Sequence, residues 1–406
     1  MNNWKKTTLG EIGKIITGKT PQTAFSDNYG DYICFLTPSD NMNVKFCTNT
    51  NRMLSKKGLE EVKNNLLPAN SICVSCIGSD LGKVTITSKE TVTNQQINSI
   101  IVNDNYNVDF VYYAMLILGK KMNFISKTST AVPIINKSTF STYTINIPID
   151  IDEQKRIADV LSALDNKIEV NNKINENLEA QAQAIFKQWF VDFEFPDKEG
   201  KPYKTNGGKF IDSELGEIPL GWKVGTLGNF TTNERVRVGN NNYTVLSPVN
   251  SGELLLSEDI FNKQVYSKDI SKYLIVEKDA FAYNPARVNI GSIGRNKFDF
   301  IGCVSPVYVV FKTENKYQNF FEEYIKTERF KTEVLSRAIG GVRQTLNYSD
   351  FSLITTIYPP EDIIILFNQF YNDKEEMIKQ NKIENKTLSE IRDSLLPKLM
   401  SGEIRV

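Results

Sequence analysis

Several short stretches of this 406-residue chain carry residue types that do chemistry elsewhere in proteins. Gly13-Lys14-Ile15-Ile16-Thr17-Gly18-Lys19-Thr20 fits the phosphate-loop pattern letter for letter. That pattern works when a buried strand precedes it and a helix follows, so that backbone N–H groups converge on a phosphate. Here residues 5–12 are too short and polar for a buried central strand, and Gln22-Thr23-Ala24-Phe25-Ser26-Asp27 is a poor helix. Cys73 and Cys76 have the spacing of half a metal site or a redox pair, but the other half would need Cys34 and Cys47 at irregular spacing. Pro196-Asp197 followed by Glu199-Gly200-Lys201 imitates a magnesium-dependent nuclease site, yet it sits in a Pro/Gly-rich stretch with no strand to present it. Asn284-Pro285 begins like an Asn-Pro-Pro-aromatic loop that stacks a flipped adenine, but Ala286-Arg287 follow instead. The chain has no histidine, which removes the commonest general base and metal ligand and excludes His-dependent triads and zinc hydrolases. The expectation is a non-catalytic protein that binds neither cofactor nor metal.

What remains are polar, basic, Gly-containing loops at matching places in two halves of the chain. The first half offers Gly78, Ser79 and Lys83, then Lys127, Ser129 and Lys137. The second offers Arg287, Asn289, Ser292 and Arg295, then Arg337, Gly340, Arg343 and Gln344. Gly lets backbone approach a phosphate, Lys and Arg supply charge, and Asn, Gln and Arg can read base edges. These residues are the candidate DNA-binding set, and their differences between the halves would read different sequences.

The elements that must position these loops are duplicated. Trp4-Lys5 and Leu9-Gly10 return as Trp222-Lys223 and Leu227-Gly228, and Asn172-Lys173-Ile174 returns as Asn381-Lys382-Ile383. Each half begins with a β-rich head. Short apolar runs such as Ile72–Ile77 and Asn98–Val102 read as strands, Asp109–Leu118 and Phe320–Leu335 as helices, and Thr142–Pro148 and Ser352–Tyr358 as closing strands stopped by proline. Each head leads into a heptad helix. The first starts near Asp152 as N-cap and steps through Leu161, Leu164, Ile168, Asn171, Asn175 and Leu178. The second steps through Phe370, Met377, Asn381, Leu388, Ile391 and Leu395, ending near Pro397. An offset of 209 maps Leu161 on Phe370 and Ile168 on Met377. The predicted organisation is a head at 1–150, a helix at 151–191, a linker at 192–221, a second head at 222–360 and a second helix at 361–406.

The formal net charge is zero, but it is unevenly spread. Residues 1–150 carry 15 Lys/Arg against 11 Asp/Glu, and residues 222–360 carry 17 against 14, so both heads are basic. Residues 151–221 carry 9 against 14 and residues 361–406 carry 7 against 9, so both helical segments are acidic. Heads that meet phosphate and helices that do not would show this pattern. There is no apolar run long enough to span a membrane and no signal-peptide-like start. Five cysteines in so long a chain fit a reducing cytoplasm.

Four stretches in combination resemble the specificity subunits of type I restriction–modification systems. They are Pro148–Ala158; Leu164–Ile168 through Phe186–Phe193; Gly200–Lys204 to Ser213–Trp222; and Ser394–Gly402. The resemblance covers essentially the whole chain. It implies an α+β fold of two tandem mixed α/β target-recognition domains joined by two long antiparallel coiled-coil helices with pseudo-two-fold symmetry. It further implies a double-stranded DNA target in two halves, one per domain, with the helices as a ruler for the unread spacer. Two modification subunits would dock on the helical regions and methylate adenine with S-adenosylmethionine. Two restriction subunits would add ATP- and Mg-dependent translocation and cleavage. The chain departs from the pattern at Pro359-Pro360-Glu361-Asp362, which lacks the Glu153-Gln154 pair of the first helix start. Two other readings stay open on sequence: a coiled-coil scaffold that does not read DNA, and a nucleotide-binding enzyme acting through residues 13–20.

Overall fold

The computed structural model describes residues 4–78, 80–128, 134–260, 266–314, 316–337 and 345–406. The chain forms two compact units, Met1–Lys173 with Asn381–Val406, and Ile174–Gln380. Each unit combines a β-rich head with parts of two long helices, Ile151–Phe190 and Glu361–Met400.

The sequence repeat has a structural meaning in each unit. In the first, Trp4–Thr8 pairs antiparallel with Thr144–Pro148. Thr8 and Glu11 then cap a short turn reciprocally, and Leu9, fully buried, donates its N–H to the Tyr143 carbonyl at 2.8 Å. In the second unit, Lys223–Thr226 pairs with Thr355–Tyr358, Thr226 and Asn229 form the same reciprocal cap, and buried Leu227 donates to the Ile354 carbonyl at 2.9 Å. The repeated Leu-Gly is therefore the corner where an edge ribbon turns into the core of each head. The repeated Trp secures head to helix. Trp4 Nε1 donates to Glu153 at 3.1 Å and its ring meets Phe110 edge-on; Trp222 stacks on Phe195 and touches Phe190.

Each head holds two small sheets. The first head has a five-stranded sheet in the order Gly13–Thr17, Ile97–Val102, Ile72–Ser75, Val84–Thr87, Phe46–Cys47. A four-stranded sheet follows the order Met53–Leu54, Tyr29–Leu36, Thr91–Thr93, Leu66–Leu67. The second head has four strands ordered Thr231–Glu234, Val309–Thr313, Phe281–Tyr283, Ile293–Arg295, and four ordered Leu254–Leu256, Thr244–Pro248, Gly302–Val304, Leu274–Val276.

Several sequence expectations shift in detail. The helix expected at Asp109–Leu118 runs from Val108 to Thr128. The single helix expected at Phe320–Leu335 is two, Gln318–Tyr324 and Glu328–Arg337, because the Thr327 hydroxyl accepts the Phe330 N–H at 3.2 Å and starts a new helix. The first long helix is capped by Asp150, which accepts the Asp152 N–H at 3.0 Å, and not by Asp152. Gln154 is buried, with its side chain donating to the Pro148 carbonyl and accepting the Asn107 N–H, so it ties the helix start to the first head.

The helix seam is covered at ten of its twelve expected positions. On the first helix Leu161 and Asn171 are buried, while Leu164, Ile168, Asn175 and Leu178 are half-buried. On the second, Met377 and Ile391 are 49% and 42% exposed, and the covered positions are Phe367, Tyr371, Lys374, Ile378, Asn381, Asn385, Leu388, Arg392 and Leu395. Phe370 is half-buried beside the core. The true register between copies is 210, not 209: Leu161 corresponds to Tyr371, Ile168 to Ile378 and Asn171 to Asn381. The expectation followed the Asn-Lys-Ile repeat, whose Ile174 and Ile383 both face solvent. Apolar residues on both sides of the stripe left the 3-and-4 stepping ambiguous by one residue.

Within each unit the two helix segments run antiparallel. In the first unit Asp165 pairs with Arg392 at 2.7 Å, while Asn171 donates to Glu384 at 2.7 Å and to Asn385 at 2.9 Å. In the second, Phe186 and Trp189 meet Phe367, and Glu179 lies 3.5 Å from the buried Lys374 ammonium.

Buried charge joins each head to its helices. In the first unit the Asp165 carboxylate also accepts the Tyr113 hydroxyl of the head at 2.6 Å. The second unit holds a larger network. Arg295 pairs with Asp279 at 2.5 Å and Glu322 at 3.1 Å; Lys297 bridges Glu322 and Glu375; Lys326 pairs with Glu323 at 2.6 Å and reaches Glu179 at 3.6 Å; Lys374 pairs with Glu375 beneath the Tyr371 ring. Burial alone would raise the Glu322 carboxyl, but Lys297 and then Arg295 override it and hold it at about 2. Glu322 thus has a folded-state value below its ordinary 4.5, so its contribution is present above pH 4.5 and is lost as pH falls toward 2. Glu322→Gln is expected to lower the melting temperature at neutral pH, because Arg295 and Lys297 lose a buried partner. It should also flatten the fall in stability between pH 4.5 and 2, followed by thermal unfolding; an unchanged acid limb would remove Glu322 from the network's energetics.

Candidate nucleic-acid interface

The two candidate loops of the first head meet. The Ile135 N–H donates to the Cys76 carbonyl at 2.9 Å, and Ile77 bridges Ile134. The buried Asn98, in the strand Ile97–Val102, donates to the Ile135 carbonyl at 3.0 Å and accepts the Thr17 hydroxyl. Sequence reading passed over Asn98; its signal was an amide in an otherwise apolar strand. Gly78 has φ +80° with open space about it, so backbone is presented there without a side chain. Gly82 has φ +90°, and a Cβ would lie 2.2 Å from the Gly119 carbonyl, so only glycine lets this loop seat on the helix Val108–Thr128. Lys83 is held by Asp80 at 2.7 Å. Lys127 is exposed at the end of that helix, and Lys137 is exposed in the first turn of Lys137–Thr142, whose N-cap is Asn136. Ser79 and Ser129 lie outside the described residues.

The second head repeats the arrangement. The Leu346 N–H donates to the Pro285 carbonyl at 3.1 Å, joining the loop after Tyr283 to the chain after Arg337. Asn347 then caps Tyr348–Ser352 as Asn136 caps its own helix. Arg287 is exposed and Asn289 half-buried on the 3-10 turn Val288–Ile290 or beside it. Arg287 and Asn284 line a cleft of about 390 Å³ with Asn250, Tyr273 and Tyr308. Arg337 is held by Glu333 at 3.3 Å. Gly340, Arg343 and Gln344 lie outside the described residues.

Two candidates are corrected. Arg295 is drawn into the buried ion network with Asp279 and Glu322, where its guanidinium ties the strand Ile293–Arg295 to the head's own helix Gln318–Tyr324 and presents no free face. Ser292 is buried with its hydroxyl donating to the Pro248 carbonyl at 2.9 Å, so it fixes the loop from inside.

The other motifs are also structural. Gly13–Thr17 is a strand paired with Ile97–Val102, and Gly18 packs so tightly that a Cβ would lie 2.1 Å from the Asn94 carbonyl. That geometry is incompatible with a phosphate loop between strand and helix. Cys73 and Cys76 are buried free thiols; burial pushes them up to about 12 and about 11, away from the thiolate a metal would need. Asp197 accepts the Glu199 and Lys201 N–H groups and the Asn206 amide, which consumes the carboxylate in a turn. Asn284 accepts the Ala286 N–H at 3.0 Å and likewise closes a turn. Among the described residues no helix is long and apolar enough to cross a membrane.

Comparison with known proteins agrees with this frame. The family model for the type I restriction modification DNA specificity domain matches residues 1–180. The MjaIX specificity subunit of a type I restriction enzyme from Methanocaldococcus jannaschii is 28% identical over all of this chain and 94% of that protein. The HindI specificity subunit from Haemophilus influenzae is 37% identical over 43% of this chain and 39% of its own length. The crystal structure of a type I system S subunit from M. genitalium aligns over 98% of this chain and 96% of that one with a TM-score of 0.53 at 16% identity, a likeness of fold. The chain is thus similar along its whole length to a specificity subunit of a type I restriction enzyme, and its residues 1–180 match the type I DNA specificity domain.

Proposed function

We propose that this chain reads a bipartite double-stranded DNA target, with one half-site per head. The observation that carries this reading is the repeated loop junction, Ile135 on Cys76 and Leu346 on Pro285. In each head it gathers two polar loops, from strands and a helix that pack in a common core, onto a fixed base. Exposed Lys127, Lys137 and Arg287 supply the charge that phosphate contacts require, and Asn289 the amide that can meet a base edge. The chain itself performs no chemistry in this reading. Two modification subunits methylate adenine with S-adenosylmethionine, and two restriction subunits use ATP and Mg to translocate and cleave.

The long helices set the unread spacer. An unbroken helix of 40 residues is about 60 Å long, equivalent to roughly 17 base pairs of duplex. Inserting four residues into each helix is expected to change the spacer and leave both half-sites unchanged, as read by mapping methylated adenines in cells carrying the system. An unchanged spacer would refute the ruler.

Exchange of heads carries a structural condition. Replacing residues 222–360 is expected to change one half of the target only. Lys297 and Lys326 must accompany the exchange, however, because they neutralise Glu375 and Glu179 on the helices. A donor head lacking both cations should assemble poorly, and restoring the two lysines should recover soluble protein and methylation. Equal yields with and without them would refute that condition.

A further inference from the structure

The two heads share a feature outside the candidate loops. The junction residues Ile135 and Leu346 stand 211 positions apart, as do the caps Asn136 and Asn347. The same offset pairs buried Phe110 with Phe321, Tyr113 with Tyr324 and Phe140 with Phe351, so it is the structural register of this part of the fold. It also pairs Lys120 with Lys331 and Phe124 with Leu335. Phe124 is 71% exposed, the highest value among the large apolar side chains described, and Leu335 is 52% exposed. Each lies one turn after its lysine on the helix that runs into the second candidate loop, Val108–Thr128 or Glu328–Arg337.

An isolated exposed apolar side chain calls for no explanation. The same Lys-then-apolar pair, exposed at the same place in two heads whose surface loops otherwise differ, does. Lys120 lies 3.7 Å from Asp393 and Lys331 2.6 Å from Glu328, but these pairs are solvent-exposed and weakly held, so both ammonium groups can exchange carboxylate for phosphate. Lys121 and Lys127 flank Phe124 on its helix, and Arg337 follows Leu335 by two residues. Basic charge beside an unpartnered apolar group suits a duplex, whose phosphates border the apolar base edges and thymine methyl groups of the groove.

We infer that Phe124 and Leu335 are base-contacting side chains, one for each half-site, with Lys120 and Lys331 holding the flanking phosphates. This rests on the DNA-reading function proposed above and adds a surface beyond the loops. The test uses the full chain with its partner subunits and fluorescently labelled duplexes carrying the target found by methylation mapping, a version mutated in one half-site, and a scrambled sequence. Phe124→Ser is expected to weaken binding to the intact target roughly tenfold and to relax discrimination in one half-site only; Leu335→Ser should do so in the other half. Binding to the scrambled duplex should not change. Lys120→Ala and Lys331→Ala should weaken all duplexes alike and lower the salt slope by about one. Unchanged target affinity and discrimination in both serine variants would overturn the inference. So would unchanged DNA binding with loss of the partner subunits on co-purification, which would make the face a protein-docking surface. A wild-type complex without preference for its mapped target would overturn the DNA-reading function itself, and the inference with it.

Discussion

Each unit is organised around a buried carboxylate at the place where the head meets its helices. In the first unit it is Asp165, reached by Tyr113 from the head and Arg392 from the second helix. In the second it is Glu322, paired with Arg295 and Lys297 of the head; Lys297 reaches on to Glu375 of the second helix, and Lys326 and Lys374 meet at Glu179 of the first. A buried charge that loses its partner costs several kcal/mol, whereas an apolar contact loosens gradually. Such a joint therefore has one well-defined geometry. The proposed DNA-reading role would need this more than raw stability, since a shift of an ångström in the frame would misplace every contact.

The remaining architecture carries that geometry outward. The Thr-capped corner at Leu9 or Leu227 turns the edge ribbon into the head's core, and the buried aromatic residues around Phe110 or Phe321 fix the helix leading to the second loop. The junction of Ile135 with Cys76, or Leu346 with Pro285, then joins the two loops. Conserving frame while varying loops follows directly: frame residues are buried and paired in both copies, whereas Lys127, Lys137 and Arg287 are solvent-facing and differ without cost to packing.

Much of this frame was legible in the sequence because it is repeated. Trp4 and Trp222, Leu9 and Leu227, and the proline-stopped closing strands could be aligned by eye, and their burial explains why they recur. The heptads showed two long helices, but their phase slipped on the second because Asn172-Lys173-Ile174 and Asn381-Lys382-Ile383 are alike in sequence yet one residue out of step with the seam, Asn172 being exposed and Asn381 half-buried. The candidate site was legible only as a set of loops. Arg295 looks like Arg287 in sequence, and nothing local says that Asp279 and Glu322, 16 and 27 positions away, enclose it. Asn98 and Phe124 were missed for the opposite reason: an amide inside a strand and an apolar residue on a helix read as ordinary elements until their surroundings are known.

The measurement that bears most directly on the central claim is a genome-wide map of methylated adenines in cells that carry this chain with its modification subunits, compared with cells from which the chain is deleted. A bipartite motif is expected, with a methylated adenine in each half, a fixed unread spacer and complete loss on deletion. A contiguous motif, or methylation that persists without the chain, would contradict it.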